Sequence, residues 1–203
     1  MTTQIARFIS GVLHPLFMPI LGFYLVCSSS TYISSGMSYD ITWVTYLALA
    51  LFTLVIPVLN ILFLAKKGMI KSPYLHQRED RNLPYILYIV CYVMLYYFLK
   101  PIFLPPILYM MLLGSAFTIA VALVINLKWK ISAHMIGIGG ALGSVVGVSM
   151  RFSEPLMVTI MALFIGAGLV GFSRLQLNAH SSAQVYSGFL LGFFSLCFFI
   201  VWG

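Results

Sequence analysis

Long, unbroken apolar runs make up most of this chain, and they remove most folds from consideration. The runs are Phe8–Val26, Trp43–Ala65, Tyr85–Leu99, Ile107–Leu127, Met135–Met150, Leu156–Phe172 and Ala183–Trp202. A crossing helix needs about 20 apolar residues, and only helices or closed barrels satisfy every backbone polar group in lipid. These runs are continuous rather than alternating, which selects helices over strands. Charged residues are 7% of the chain, against about 25% in soluble domains, so no water-soluble fold could cover this much apolar surface. The expected architecture is all-α, a polytopic transmembrane helix bundle forming one domain over residues 1–203. The third and fifth runs are short, which leaves six to seven spans. The stretch "PIFLPP", Pro101 to Pro106, divides what would otherwise be one long helix. Pro15, Pro19 and Pro57 are expected to kink helices or mark their ends. The N-terminus has neither the basic start nor the small-residue cleavage site of a signal peptide, so the first run is expected to be kept as a span.

The few polar residues are unevenly placed. The formal net charge of +7 suits anionic headgroups or a phosphate-bearing ligand, while no long basic arm exists for nucleic acid. Cys27, Cys91 and Cys197 lie singly in apolar runs, a spacing that fits neither a disulfide framework nor a metal site. The longest polar stretch, "KKGMIKSPYLHQREDRNLP", carries seven charges. Two runs separate it from "NLKWKISAH", and two more separate that from "SRLQLNAH". Even numbers of crossings put all three polar clusters on one face of the membrane, as a site assembled from three loops requires.

Ionisable groups at membrane depth are costly and are functional suspects. Lys66, Lys67, Lys100, Lys128 and Arg151 sit at run ends, where basic side chains reach headgroups. His14 and His76 read as interfacial polar residues. His134 and His180 read differently. Ser132 stands where it can cap the helix carrying His134, and a helix N-terminus attracts anions. Gly139, Gly143 and Gly147 form a small-residue face, and Gly188 and Gly192 repeat the spacing, so these two helices are expected to pack closely and bring His134 towards His180. Gln184 lies one helical turn after His180, so its carbonyl oxygen can accept a ring N–H and leave the other ring nitrogen with its lone pair free. Arg174 adds a planar fork of donors suited to phosphate oxygens. Together these groups could form an oxyanion site with a nucleophile and an acid.

Those residues resemble the type-2 phosphatidic acid phosphatase superfamily. Ser173-Arg174, five residues, His180, three residues and Gln184 is similar to its third motif, Ser-Arg-x5-His-x3-Asp. Ile131-Ser132-Ala133-His134 keeps the Ser and His of the second, Pro-Ser-Gly-His. Lys71 and Arg78 match the spacing of the first, Lys-x6-Arg-Pro, with Glu79 in the place of Pro; Arg81-Asn82-Leu83-Pro84 is a competing alignment. Gln184-Val185 resembles the dolichyl-diphosphate phosphatase branch, which favours a polyprenyl diphosphate substrate.

The resemblance implies a metal-independent lipid phosphatase with no cofactor, acting on a polyprenyl diphosphate or a phosphatidyl-type lipid. It implies that His180 attacks phosphorus to give a phospho-histidine, that Gln184 holds His180, and that His134 protonates the leaving oxygen and then activates water. Arg174, Ser132, Ser173, the N–H groups near Ala133, and Arg78 or Arg81 would hold phosphate oxygens, with Lys71 and Lys130 as weaker contributors. Glu79 and Asp80 are read as partners of Arg78 and Arg81. Gln184 in place of the motif's carboxylate, with the imperfect first motif, keeps open a homologue of weak activity that binds or transports phospholipid; a less favoured reading is a haem protein using His134 and His180 as axial ligands. The expected partners are the lipid substrate and membrane lipids, with no nucleic acid and the oligomeric state open. Nine of the eleven Lys and Arg fall on the site face, which by the positive-inside rule would make it cytoplasmic. The resemblance implies that several of those charges serve phosphate binding, and that the site lies on the outer face of a bacterial inner membrane.

Overall fold

Six helical stretches among the described residues are long and apolar enough to cross a membrane. The computed structural model describes residues 2–29, 33 and 35–203. Helix α1 is Thr3–Val12 and α2 is Met18–Ser29. Helices α3 (Tyr39–Ala50) and α4 (Ile56–Lys66) are joined through a π-turn at Leu51–Val55 into one span, Tyr39–Lys66. The others are α5 (Asn82–Leu99), α6 (Pro106–Asn126), α7 (Ala133–Phe152), α8 (Met157–Gln176) and α9 (Ser182–Trp202). The chain is an all-α polytopic bundle and an integral membrane protein. Its outer faces carry large apolar side chains such as Val158, Phe164 and Phe198, all exposed.

One expected span is different. Phe8–Val26 does not form one helix: α1 ends at Val12, residues 13–17 turn, and α2 starts at Met18. Pro15 explains the break, because a proline disfavours helical backbone at the preceding His14 and supplies no N–H. Helix α2 has 12 residues, about 18 Å at 1.5 Å per residue, well short of the ~30 Å hydrocarbon core. Pro19 lies in the first turn of α2, where its missing donor costs nothing. Pro57 follows the π-turn, which accommodates its ring. The third and fifth runs extend to full crossings, Glu79–Ile102 and Ala133–Phe152. "PIFLPP" ends α5 in a short 3-10 turn, with Phe103 left-handed at φ 55°, before α6 begins at Pro106. The Ser-rich connection after α2 includes positions 30–32 and 34, which lie outside the described residues.

Helix α7 is the central element, with 61% of its apolar window buried. Its closest neighbour is α9, and glycine sets the approach. A Cβ on Gly139 or Gly143 would collide with the carbonyl oxygens of Phe189 and Phe193, and one on Gly192 with that of Ile136. On Gly188 it would come within 2.7 Å of the Ser132 oxygen. In lipid the apolar effect does not drive helices together, so this backbone-to-backbone packing supplies the dispersion contact that joins them. It also places the first turn of α7 beside the first turn of α9, and the Ser132 N–H donates to the Gln184 carbonyl at 3.4 Å. Gly171 of α8 fits into the same junction, 3.3 Å from Val185 and 3.6 Å from Met135 when given a Cβ.

Candidate active site

That junction gathers the polar groups at one end of the bundle. His180 lies in the turn between α8 and α9 and is buried. Its Nδ1 is 2.9 Å from Gln184 Oε1, which also accepts the Ser181 N–H at 3.3 Å. An amide oxygen only accepts, so Nδ1 carries the proton and Nε2 holds the free lone pair. The geometry arises locally: Ser181 and Gln184 form a capping box at the start of α9, which fixes the Gln rotamer that in turn holds the ring. Burial pushes the His180 pKa down to about 4; the Gln184 bond works against this, and the charges of Arg81, Arg174 and Lys130 add to the fall. The ring is therefore neutral at ordinary pH.

His134 sits in the first turn of α7, near Arg174, His14 and His180. Its Nε2 is 3.2 Å from the backbone oxygen of Ser10, so Nε2 donates the proton there. Arg174, in the last turn of α8, donates from Nη1 to Ser10 Oγ at 3.4 Å, and its buried Nε has no partner. Arg81 is buried; its Nε donates to the Leu75 carbonyl at 2.9 Å and its Nη1 to that of Ile131 at 3.0 Å. Those bonds clamp the charged loop to the turn before α7. Lys130 Nζ donates to the Ala179 carbonyl at 3.3 Å, and burial, then Arg81 and Arg174, push its pKa down.

Other expected site residues take different places. Ser132 occupies the N-cap position of α7, but its side chain makes no capping bond; its hydroxyl is fully buried without a partner. Ser173 is also fully buried, and its hydroxyl donates to the Leu169 carbonyl of its own helix at 2.7 Å. Arg78 pairs with the neighbouring Glu79 at 2.9 Å and is partly exposed, which separates it from Arg81. Lys71 is exposed, and only its backbone N–H is anchored, to Asp80 Oδ1 at 3.1 Å. Asp80 therefore ties the loop rather than pairing with Arg81, and its Oδ2 is a buried acceptor without a partner.

Two groups are missing from the sequence-based site. Ser10 accepts from both His134 and Arg174. His14 packs edge-on to His134 with ring centroids 5.1 Å apart, and its Nδ1 accepts the Leu16 N–H at 3.3 Å. Burial and the Arg174 charge push the His14 pKa down. The signal that could have found them is His14-Pro15: a histidine immediately before a helix-breaking proline marks a turn, and a turn there falls on the face of the other clusters.

The histidine pair, the three cations and the orphaned donors Ser132 Oγ and Arg174 Nε form a buried, electropositive group of donors around one neutral imidazole. The buried side-chain atoms without partners also include the acceptors Asp80 Oδ2 and Asn126 Oδ1. The carboxyl-terminal turn of α1, which carries partial negative charge, meets this cluster through the two Ser10 oxygens. No protein-family model, curated protein or solved structure matches the chain.

Proposed function

We propose that this protein is a membrane phosphatase that removes phosphate from a phosphorylated lipid through a phospho-histidine on His180. The observation that supports this best is the His180 ring itself. Nδ1 is held by Gln184, Nε2 is free, and the charges acting on the ring come from Arg81, Arg174 and Lys130. A neutral imidazole among cations can attack a phosphate whose oxygens those cations hold.

The reaction balances with the groups present. The His180 Nε2 lone pair forms a bond to phosphorus while the bond from phosphorus to the lipid's leaving oxygen breaks; His134, which takes up a second ring proton as the anionic substrate binds, gives one proton to that oxygen and returns to the neutral imidazole. Water then attacks the phospho-imidazole, His134 takes the water's proton, and the N–P bond breaks to release phosphate. Ser10 places two oxygens where substrate oxygens would be bound, one on His134 and one on Arg174. Phosphate binding in this reading displaces that end of α1. Arg81, buried and directed at the turn before α7, takes the role of the first-motif arginine in preference to Arg78. A polyprenyl diphosphate remains the favoured substrate, at a site on the outer face of a bacterial inner membrane.

Purified protein in detergent should release phosphate from farnesyl or undecaprenyl diphosphate without added metal, and His180→Ala should abolish it. Equal release by His180→Ala would overturn the reading. Binding of phospholipid with no turnover across diphosphates, phosphatidate and phosphatidylglycerol phosphate would favour a non-catalytic carrier.

A further inference from the structure

The chemistry above leaves a cavity of about 200 Å³ unexplained. It begins beside His14 and Ala133 under the basic cluster and reaches Ser144, Met111 and Leu196 inside the bundle. Along α7, Ala133 to Ser144 is eleven residues, about 16 Å of helix; along α6, Ala122 to Met111 is the same distance. The cavity thus descends through about half of the ~30 Å hydrocarbon core. Its lining is overwhelmingly apolar, and the hydroxyls of Thr118 and Ser144 are taken up by their own helices. Thr118 donates to the Gly114 carbonyl at 2.6 Å and Ser144 to that of Gly140 at 2.9 Å.

Glycine again separates packing from purpose. Gly139 and Gly143 are required by backbone contact, as described above. Gly22 and Gly140 line the cavity and are not so required. A Cβ on Gly22 would meet nothing nearer than 3.7 Å, and one on Gly140 nothing nearer than 3.5 Å, both ordinary contacts. Glycine costs roughly 0.5–1 kcal/mol relative to alanine inside a helix. What glycine does at these two positions is keep the space open.

We propose that this cavity is a slot for one hydrocarbon chain of a phosphorylated lipid, with the phosphate at the His180 cluster and the tail running down between α2, α5, α6 and α7. The proposal rests on the reading of the basic cluster as a phosphate site and narrows its substrate class to single-chain lipids. An apolar cavity of about 150 Å³ is enough to hold a benzene ring. A slot of this volume drawn out over half the membrane leaves no room for two chains side by side. Basic groups at its mouth and hydrocarbon walls beneath match the two ends of a prenyl or alkyl phosphate.

The test uses the full-length protein in detergent and a single-chain alkyl phosphate carrying a photoreactive group at its far end. Irradiation followed by peptide mass spectrometry should place the label near Met111, Leu112 or Ser144. Gly22→Leu and Gly140→Leu, which fill the slot while improving helix propensity, should each lower that labelling about tenfold or more, a difference of one decade in affinity. Gly168→Leu, on an exposed face with nothing within 4 Å, should leave it unchanged. Unlabelled prenyl phosphate should compete at least about tenfold better than two-chain phosphatidate. Label on outward-facing residues such as Val158 or Phe103, equal in all variants, would overturn the slot, as would equal competition by phosphatidate. Labelling is also read in His180→Asn, without turnover. Deep label with no phosphate release from the parent keeps the slot and removes the hydrolase; phosphate release without deep label does the reverse.

Discussion

Replacing Gln184 by Glu changes one atom at the point where the account is most specific. Gln184 Oε1 accepts from His180 Nδ1 at 2.9 Å and from the Ser181 N–H at 3.3 Å. A glutamate keeps both bonds, since either residue serves in a capping box, so the start of α9 should be unchanged. What it adds is a negative charge beside the ring. The His180 pKa is pushed down to about 4, by burial first. A carboxylate in hydrogen-bond contact favours the imidazolium and raises the pKa by roughly one to three pH units, equivalent to about 1.4–4 kcal/mol. The attacking nitrogen must be unprotonated, so parent activity should be lost only as pH falls through about 4. In Gln184→Glu that acid limb should move up, to between roughly 5 and 7. Above it the rate should equal or exceed the parent's, because the carboxylate also stabilises the cationic phospho-imidazole. The assay is a pH–rate profile of phosphate release, supported by an NMR titration of the labelled ring in detergent. An acid limb that stays at the parent's position, or moves down, would refute both the bond to Nδ1 and the role of His180.

Three further outcomes follow from the same geometry. Arg81→Ala should lower turnover about 100-fold or more, the usual cost of losing an oxyanion donor, while Arg78→Ala, which removes only an exposed pair with Glu79, should stay near the parent in the same steady-state assay. Gly143→Ala drives a methyl into the Phe193 carbonyl and should cost about 1–3 kcal/mol, seen as a lowered midpoint of thermal unfolding in detergent, while Gly168→Ala should leave the midpoint the same or raise it. Because Ser10 holds His134 and Arg174, saturating vanadate should free the end of α1 and speed tryptic cleavage after Arg7; an unchanged rate would show that α1 and the anion do not compete.

The spans were legible because hydropathy is a local property: a run of apolar residues must cross lipid wherever it lies in the bundle. The His180–Gln184 bond was legible for a related reason, since residues one helical turn apart share a face whatever surrounds them. The glycine spacing disclosed the α7–α9 contact because small residues at four-residue intervals have few other uses in a membrane. Spacing could not choose between Arg78 and Arg81, which both fit; burial and the bond to Ile131 distinguish them. Nor could it reveal Ser10, which reaches His134 across 124 positions of sequence. A hydropathy window also passes over Pro15, so α1 and α2 merged into one apparent span and His14 was left at its edge. The N-cap position of Ser132 was legible, but not the burial of its hydroxyl without a capping bond.

The central claim is that His180 becomes covalently phosphorylated. The direct measurement is rapid mixing of the protein with a phosphate-labelled prenyl diphosphate, an alkaline quench that preserves phospho-imidazole, and mass spectrometry of the peptide spanning Leu175 to Tyr186. The account predicts an acid-labile phosphate on His180 that forms before product accumulates and is absent from His180→Asn. Steady phosphate release with no adduct on that peptide at any time, and none lost in the variant, would contradict it.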